Sequence, residues 1–423
     1  MVRLPALRSF AACHRRLGSV AACAAVVLLS SPGAAGSLSV DSRSIPGLSP
    51  RAPIVSHRLR LTGMIEAPDA DRLRDALTRL REARGVQGDA NVPPAVLELS
   101  SAGGNLLEGI RIGYLLREFG VATVVRHDDA CLSACALAFL GGTGRRQPLA
   151  VEPGRTLEIG GQVGFHTFSI NVAWVLGESR SDPARGIARG FDLARSGAAQ
   201  MMRYVTDMGV APSFVARLIG LPPEHWQYIE TAGDFLDLGI EPRGTWPGAG
   251  RLEVQAANAC RRAVDPSAAA SHARRLAGAQ AQRLLLEHVR NTVAGVSLKG
   301  PLAVQLSAVL ETSDRGLVAR IYADLRAAGL PLPAPGATHV EIPVAGRDGA
   351  NRHCHVTLSA GDPDAIDLVV LSERGINRVE RLPRGPLARL LRYAPDDMIN
   401  PSGPRRRDLA VRAGAAGHLT NAE

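Results

Sequence analysis

A chain of 423 residues, 46% of them apolar, is long enough to bury a sizeable core and to divide into two or three domains. The formal charge is +9, and nearly all the cations are arginine, since Lys299 is the sole lysine; four arginines and no acid fall in residues 1–36, which leaves 9 − 4 = +5 on the rest. With aromatics at 4% and no basic cluster interleaved with stacking rings, nucleic acid is not an expected partner.

In chain order, Arg3, Arg8, Arg15 and Arg16 precede an aliphatic run from Leu17 to Leu29, and a small-residue zone follows from Ser31 to Gly36. This pattern predicts a signal peptide over 1–36, cleaved near residues 33–38, and a periplasmic or secreted protein. The run is shorter than the roughly 20 apolar residues a span needs. An uncleaved N-terminal anchor is the alternative, and no second stretch is long enough to span a bilayer. Cys13 and Cys23 would leave with the signal. Cys131, Cys135, Cys260 and Cys354 remain, an even number that permits two disulfides in an exported chain. Cys131 with Cys135 is one candidate pair, although two cysteines four apart on one helix sit near the geometric limit.

Residues 37–54, rich in Ser, Pro and Arg, read as a linker. From Val55 the pattern alternates strand and helix. Asp69 is an expected N-cap, with Leu73, Leu77 and Leu80 at helical spacing behind it. Ala95–Leu99 reads as a buried strand, Asn105–Phe119 as a helix stopped by Gly120, and Val121–Val125 as the next buried strand. Units of this length predict parallel strands with right-handed crossovers. Residues 148–161 read as an irregular excursion before a strand at Val163. Residues 169–189 read as a lid, a partner-binding insertion or a solvated loop. A helix pair through Met201 and Phe214 is broken by Gly209 and Pro212. Trp246–Gly250 marks a boundary. Beyond it, 251–330 reads as helical, Pro331, Pro333 and Pro335 as a stiff linker, 337–400 as a small mixed α/β region, and 401–423 as a disordered tail.

Three segments carry the candidate chemistry: Ser100-Ser101-Ala102-Gly103-Gly104, Cys131-Leu132-Ser133-Ala134-Cys135 and Gly164-Phe165-His166-Thr167. Acyl transfer by a serine needs backbone oxyanion donors, a nucleophile and a base, and these segments offer one candidate for each. Ser133 follows a buried strand and the polar turn His127–Ala130, at a helix start where N–H groups favour negative charge. A helix N-cap without chemistry is the other reading of Ser133, and a core histidine the other reading of His166. The two cysteines around Ser133 could be core thiols, a disulfide or metal ligands; only His127 lies near as a third ligand. His353 and His355 share a strand face, but two ligands do not make a metal site. No cofactor or metal is expected.

Around these segments the chain resembles the proteolytic subunit of the Clp protease, within the Clp/crotonase superfamily. Leu59–Ile65 looks like that family's first core strand, and Leu97–Gly104 like its strand and S-P-G-G turn, with Ala102 in place of proline. Val121–Val125, Ser133 and Gly141–Arg146 follow in order. Met201–Leu218 resembles its later helix pair and Tyr228–Ile240 its last helix-to-strand passage. The match covers residues 55–242 or so, and the C-x-S-x-C motif with the signal-like start suggests a subgroup of periplasmic Clp-protease-like proteins.

The resemblance implies an α/β fold with a Clp/crotonase-type ββα spiral core over 55–245, followed by the C-terminal helical and mixed regions. It implies a serine peptidase acting on peptide or protein: Ser133 as nucleophile, His166 as general base, Gly104 and Ala134 N–H groups as oxyanion donors, and a possible homo-oligomer. For the third catalytic member the family's aspartate position falls near Pro222, so Glu224 is the nearest carboxylate, with Asp207 and Asp234 as poorer candidates. A non-catalytic peptide-binding or assembly module of the same fold is the alternative function. Acyl-CoA chemistry fits less well, because an exported protein would not meet that cofactor.

Overall fold

The computed structural model describes residues 36–45, 54–84, 93–147, 150–166, 183–222, 225–263, 268–293, 304, 311–327, 332, 336–345, 351–359, 366–372, 378–381 and 385–401. The expected signal peptide up to residue 35, the tail beyond Pro401, and Glu224 lie outside them, as do residues 169–182 of the expected lid or loop, whose remaining residues 183–189 are helical.

The first sheet starts where a linker was expected. Strands β1 (Ser37–Ile45) and β2 (Ile54–Thr62) pair antiparallel, with Ser37 opposite Thr62 and Ile45 opposite Ile54. The serine-rich composition hides an alternation, with apolar residues at 38 and 40, that suits an edge strand. After α1 (Asp69–Arg84), which buries Leu73, Ala76 and Leu77, β3 (Ala95–Ser100) lies parallel to β2 with Leu59 opposite Leu97. Helix α2 (Leu106–Phe119) has the expected ends: the Asn105 side chain accepts from Glu108 N–H, and Gly120 caps the C-terminus at φ 70°. It leads to β4 (Ala122–Val125), again parallel.

The chain then leaves this sheet for β5 (Ala130–Leu132) and α3 (Ala134–Leu140), and passes through a hairpin of β6 (Thr143–Gln147) and β7 (Ala150–Pro153). Residues 155–158, expected to be irregular, are β8 (Arg155–Glu158), an interior strand of the first sheet. Its partner β4 lies on one side and β11 (Ile240–Arg243) on the other, both parallel to it. Sheet order is β1-β2-β3-β4-β8-β11. A smaller sheet, β10-β9-β5, contains β9 (Gln162–His166) parallel to β5 and β10 (Trp226–Tyr228) antiparallel to β9. The expected helix pair is α4 (Pro183–Asp207) and α5 (Pro212–Ile219), and α6 (Ala232–Asp237) precedes β11.

Arg155 on β8 is 2% exposed. Its guanidinium donates to the carbonyls of Met208 and Leu238, which close the C-terminal ends of α4 and α6. A cation is favoured there because helix carbonyls converge with partial negative charge. Burial pushes its pKa down to about 10.

A second, antiparallel sheet has the order β12 (Arg274–Arg275), β13 (Thr338–Ala345), β14 (Asn351–Leu358), β15 (Ile366–Ser372) and β16 (Arg378–Arg381). Helix α7 (Leu252–Ala263) packs Ala256, Ala257, Ala259 and Cys260 against Val340, Ile342, Cys354, Val356 and Leu358. A disulfide between Cys260 and Cys354, Cα atoms 6.3 Å apart, ties helix to sheet. Helices α8 (Gly278–Val293) and α9 (Arg315–Ala327) lie in the stretch expected to be helical, which also contains the short strand β12.

After this sheet the chain returns. Leu390, at the end of α10 (Pro386–Leu390), Tyr393 and Ile399 join the hydrophobic core of the first sheet rather than that of the second. Gly233 N–H donates to Pro395 O (2.8 Å), Ala232 N–H to Asp397 O (2.9 Å) and Ile399 N–H to Glu230 O (2.8 Å). The buried Asn400 side chain accepts from Gly160 N–H (2.7 Å) and donates to Gly161 O (2.9 Å) and Ile229 O (3.4 Å). Residues 390–400 therefore clasp the turn before β9 to the stretch after β10.

Candidate active site

The small sheet brings the serine and histidine segments together. Cys131 and Leu132 end β5 in the core, and Ser133 turns the chain into α3. Ser133 has φ 54° and ψ −120°, outside the regions an L-residue ordinarily adopts, and its side chain makes no capping bond to the helix. Ser133 thus occupies the N-cap position of α3 without capping it through its side chain. Residues held in such conformations persist only when their surroundings over-determine them, at a cost of about 1–3 kcal/mol.

Several contacts do that here. Ser133 N–H donates to Gly164 O (2.9 Å), fixing the turn to β9, and Leu137 N–H donates to Ser133 O (3.2 Å), starting the helix. Cys131 and Cys135 are joined by a disulfide, Cα atoms 5.1 Å apart. The bridge is feasible because Cys131 lies on a strand and Cys135 on a helix, so the geometric limit for two cysteines of one helix does not apply. Ahead of β5, Arg60 pairs with Asp129 (2.9 Å), while Arg126 pairs with Glu98 and with Glu158 (2.7 Å). The Asp129 hydrogen bond holds the Arg60 guanidinium above its ordinary pKa. Burial pushes the Glu158 carboxyl up, but His127 N–H and Arg126 outweigh it and leave it below the ordinary value.

His166 ends β9. Its Nε2 lies 2.7 Å from Ser133 Oγ, within hydrogen-bond reach of a nucleophile and base. The glycine segment reaches the same place. A Cβ on Gly103 would stand 2.8 Å from Ser133 Cβ and 3.4 Å from Ala134 N, so only glycine, at φ 111°, lets this turn approach the serine. Gly103 N–H is taken by Ser101 Oγ (3.0 Å), and Gly104 supplies the next N–H along the turn. Ala134 is the first residue of α3, where N–H groups have no intrahelical acceptor.

The poorer acid candidates are engaged elsewhere. Asp207 accepts from Tyr114 Oη (2.7 Å). Asp234 is buried in the capping box of α6, accepting from Thr231 N–H and Oγ1, and pairs with Arg217. Trp226, which the sequence reading did not single out, stands opposite His166 in the β9–β10 pairing, with ring centroids 4.5 Å apart. The signal was the Trp-Gln-Tyr run, which puts two aromatics on one face of a short strand. Among the described residues no group of three His, Cys, Asp or Glu side chains could hold a metal ion, and no helix is long and apolar enough to cross a membrane.

No protein-family model matches the chain, and no curated protein matches it. Among solved structures, a mutant ClpP1 from Listeria monocytogenes is similar over 43% of this chain and 88% of its own, at 12% identity and a TM-score of 0.30.

Proposed function

We propose that the chain is a serine hydrolase with a Clp/crotonase-type core. More particularly, we read it as an exported serine peptidase. The observation that carries this reading is the 2.7 Å approach of His166 Nε2 to Ser133 Oγ, on a serine held at positive φ. The order of the three motifs along the chain supports it, and the two disulfides suit an oxidising compartment such as the periplasm.

In this mechanism Ser133 Oγ attacks a peptide carbonyl as its proton passes to His166 Nε2. The Gly104 and Ala134 N–H groups hold the oxyanion. Collapse expels the amine, which takes its proton from His166. Water, deprotonated by His166, then releases the acyl group and restores Ser133. Glu224 is assigned as the carboxylate that orients the imidazole.

A fluorophosphonate tests this. The mature protein should label at Ser133; Ser133→Ala should abolish labelling while keeping the fold, and His166→Ala should slow it by about two orders of magnitude or more. A folded wild-type protein that resists the probe beside a reactive serine hydrolase would refute the peptidase reading and leave the peptide-binding module in its place.

A further inference from the structure

We infer that Trp226 is a positioning residue for His166, acting on the imidazolium that forms when Ser133 gives up its proton. This rests on the reading above. Trp226 and His166 are directly opposed on β10 and β9, so their side chains project to the same face as cross-strand neighbours. The rings meet at 4.5 Å with a 47° tilt, inside the roughly 6 Å range over which an indole face attracts a cation. Indole has the strongest such field of the aromatic side chains.

The indole is itself supported. Tyr228, two residues along the same face, lies 6.1 Å from it at an interplanar angle of 13°. Tyr228 sits over Gly164, where any Cβ would come within 2.7 Å of its ring. The same Gly164 carbonyl receives Ser133 N–H. One glycine thus seats both the aromatic stack and the serine turn, which fixes the indole relative to the proton path. A neutral imidazole gains little from the ring quadrupole and an imidazolium gains more. The contact therefore raises the basicity of His166 and lowers the barrier to proton transfer.

The other titratable side chains on the flanking described elements are His225 and Tyr228 beside Trp226, and Asp129 ahead of β5, the last committed to Arg60. None of them is altered in the variants below.

The test is an NMR titration of histidine-labelled protein in the Ser133→Ala background, with the His166 signals identified by their loss in His166→Gln. Trp226→Leu, which keeps the apolar bulk and removes the ring, should lower the His166 pKa by about half a unit, and Trp226→Phe should fall between the two. If Trp226→Leu does not fold, uniform 5-fluorotryptophan keeps the shape and thins the ring electrons, and should move the pKa in the same direction. A His166 pKa that stays or rises when the ring is removed or fluorinated overturns the inference. The readout needs no turnover, so it stands apart from fluorophosphonate labelling, whose failure would refute the peptidase reading instead.

Discussion

Removing the two disulfides one at a time should separate stability from reactivity. The Cys131–Cys135 bridge closes a loop of sequence separation 4, the Cys260–Cys354 bridge one of 94. The chain-entropy relation gives about 2 kcal/mol for the first and about 4.7 kcal/mol for the second at 25 °C. The local bridge is thus the weaker contributor to folding. It also brackets Ser133, whose backbone strain of about 1–3 kcal/mol must be held by its surroundings. Releasing even about 1.4 kcal/mol of that strain by relaxing the turn would cut the fraction of molecules presenting Ser133 to His166 tenfold. The assay pairs urea unfolding with the fluorophosphonate labelling rate, using Cys131→Ala/Cys135→Ala and Cys260→Ala/Cys354→Ala. The first variant should lose about 2 kcal/mol of stability and at least about tenfold in labelling rate; the second should lose about 4.7 kcal/mol and label at the wild-type rate while folded. If the distant bridge controls labelling and the local one does not, the reasoning about the strained turn is wrong.

Arg155→Met should cost about 2 kcal/mol by chemical denaturation, because the carbonyls of Met208 and Leu238 lose their charge-assisted donor, an effect partly offset by no longer burying a cation. His339 and His355 have ring centroids 5.6 Å apart, and burial pushes the pKa of each down to about 4. Their folded pKa values lie below the unfolded value near 6.5, so their neutral forms cost nothing above that pH, and stability falls as the pH drops from about 6.5 to about 4, by up to about 3 kcal/mol each. His355→Leu should flatten that slope, as followed by melting temperature across the same pH range. Gly103→Ala should abolish labelling while leaving a folded protein by circular dichroism, since its Cβ would come within 2.8 Å of both the Leu132 carbonyl oxygen and Ser133 Cβ and so displace the serine turn.

Where the sequence was readable, the signals were local. Asn105 and Gly120 bracket α2 because a cap and a left-handed stop depend only on neighbours along the chain. The serine and histidine were legible as motifs in order. The positive φ of Ser133 was not, because nothing in Leu-Ser-Ala demands it; the disulfide and the Gly164 carbonyl impose it from outside. Strand β8 was missed because Pro153 and Gly154 look like loop residues and Arg155 looks exposed, whereas its cation is held by two helix ends distant in sequence. The bonds of Asn400 span 171 to 240 residues and leave no pattern in its surroundings.

That last contact sets an order of events. Residues 390–400 emerge from the ribosome, and from any export channel, long after the serine turn. Until they arrive, the turn before β9 and the stretch after β10 lack the side chain that joins them. The Ser133 turn is therefore made early, and the segments that flank β9 and β10 are joined late. A stop after residue 384 should give a protein that the probe does not label, with Asn400→Ala intermediate between it and the wild type. On the function proposed above, the chain's own length would act as a timer that delays cleavage until the segments nearest to hand have folded.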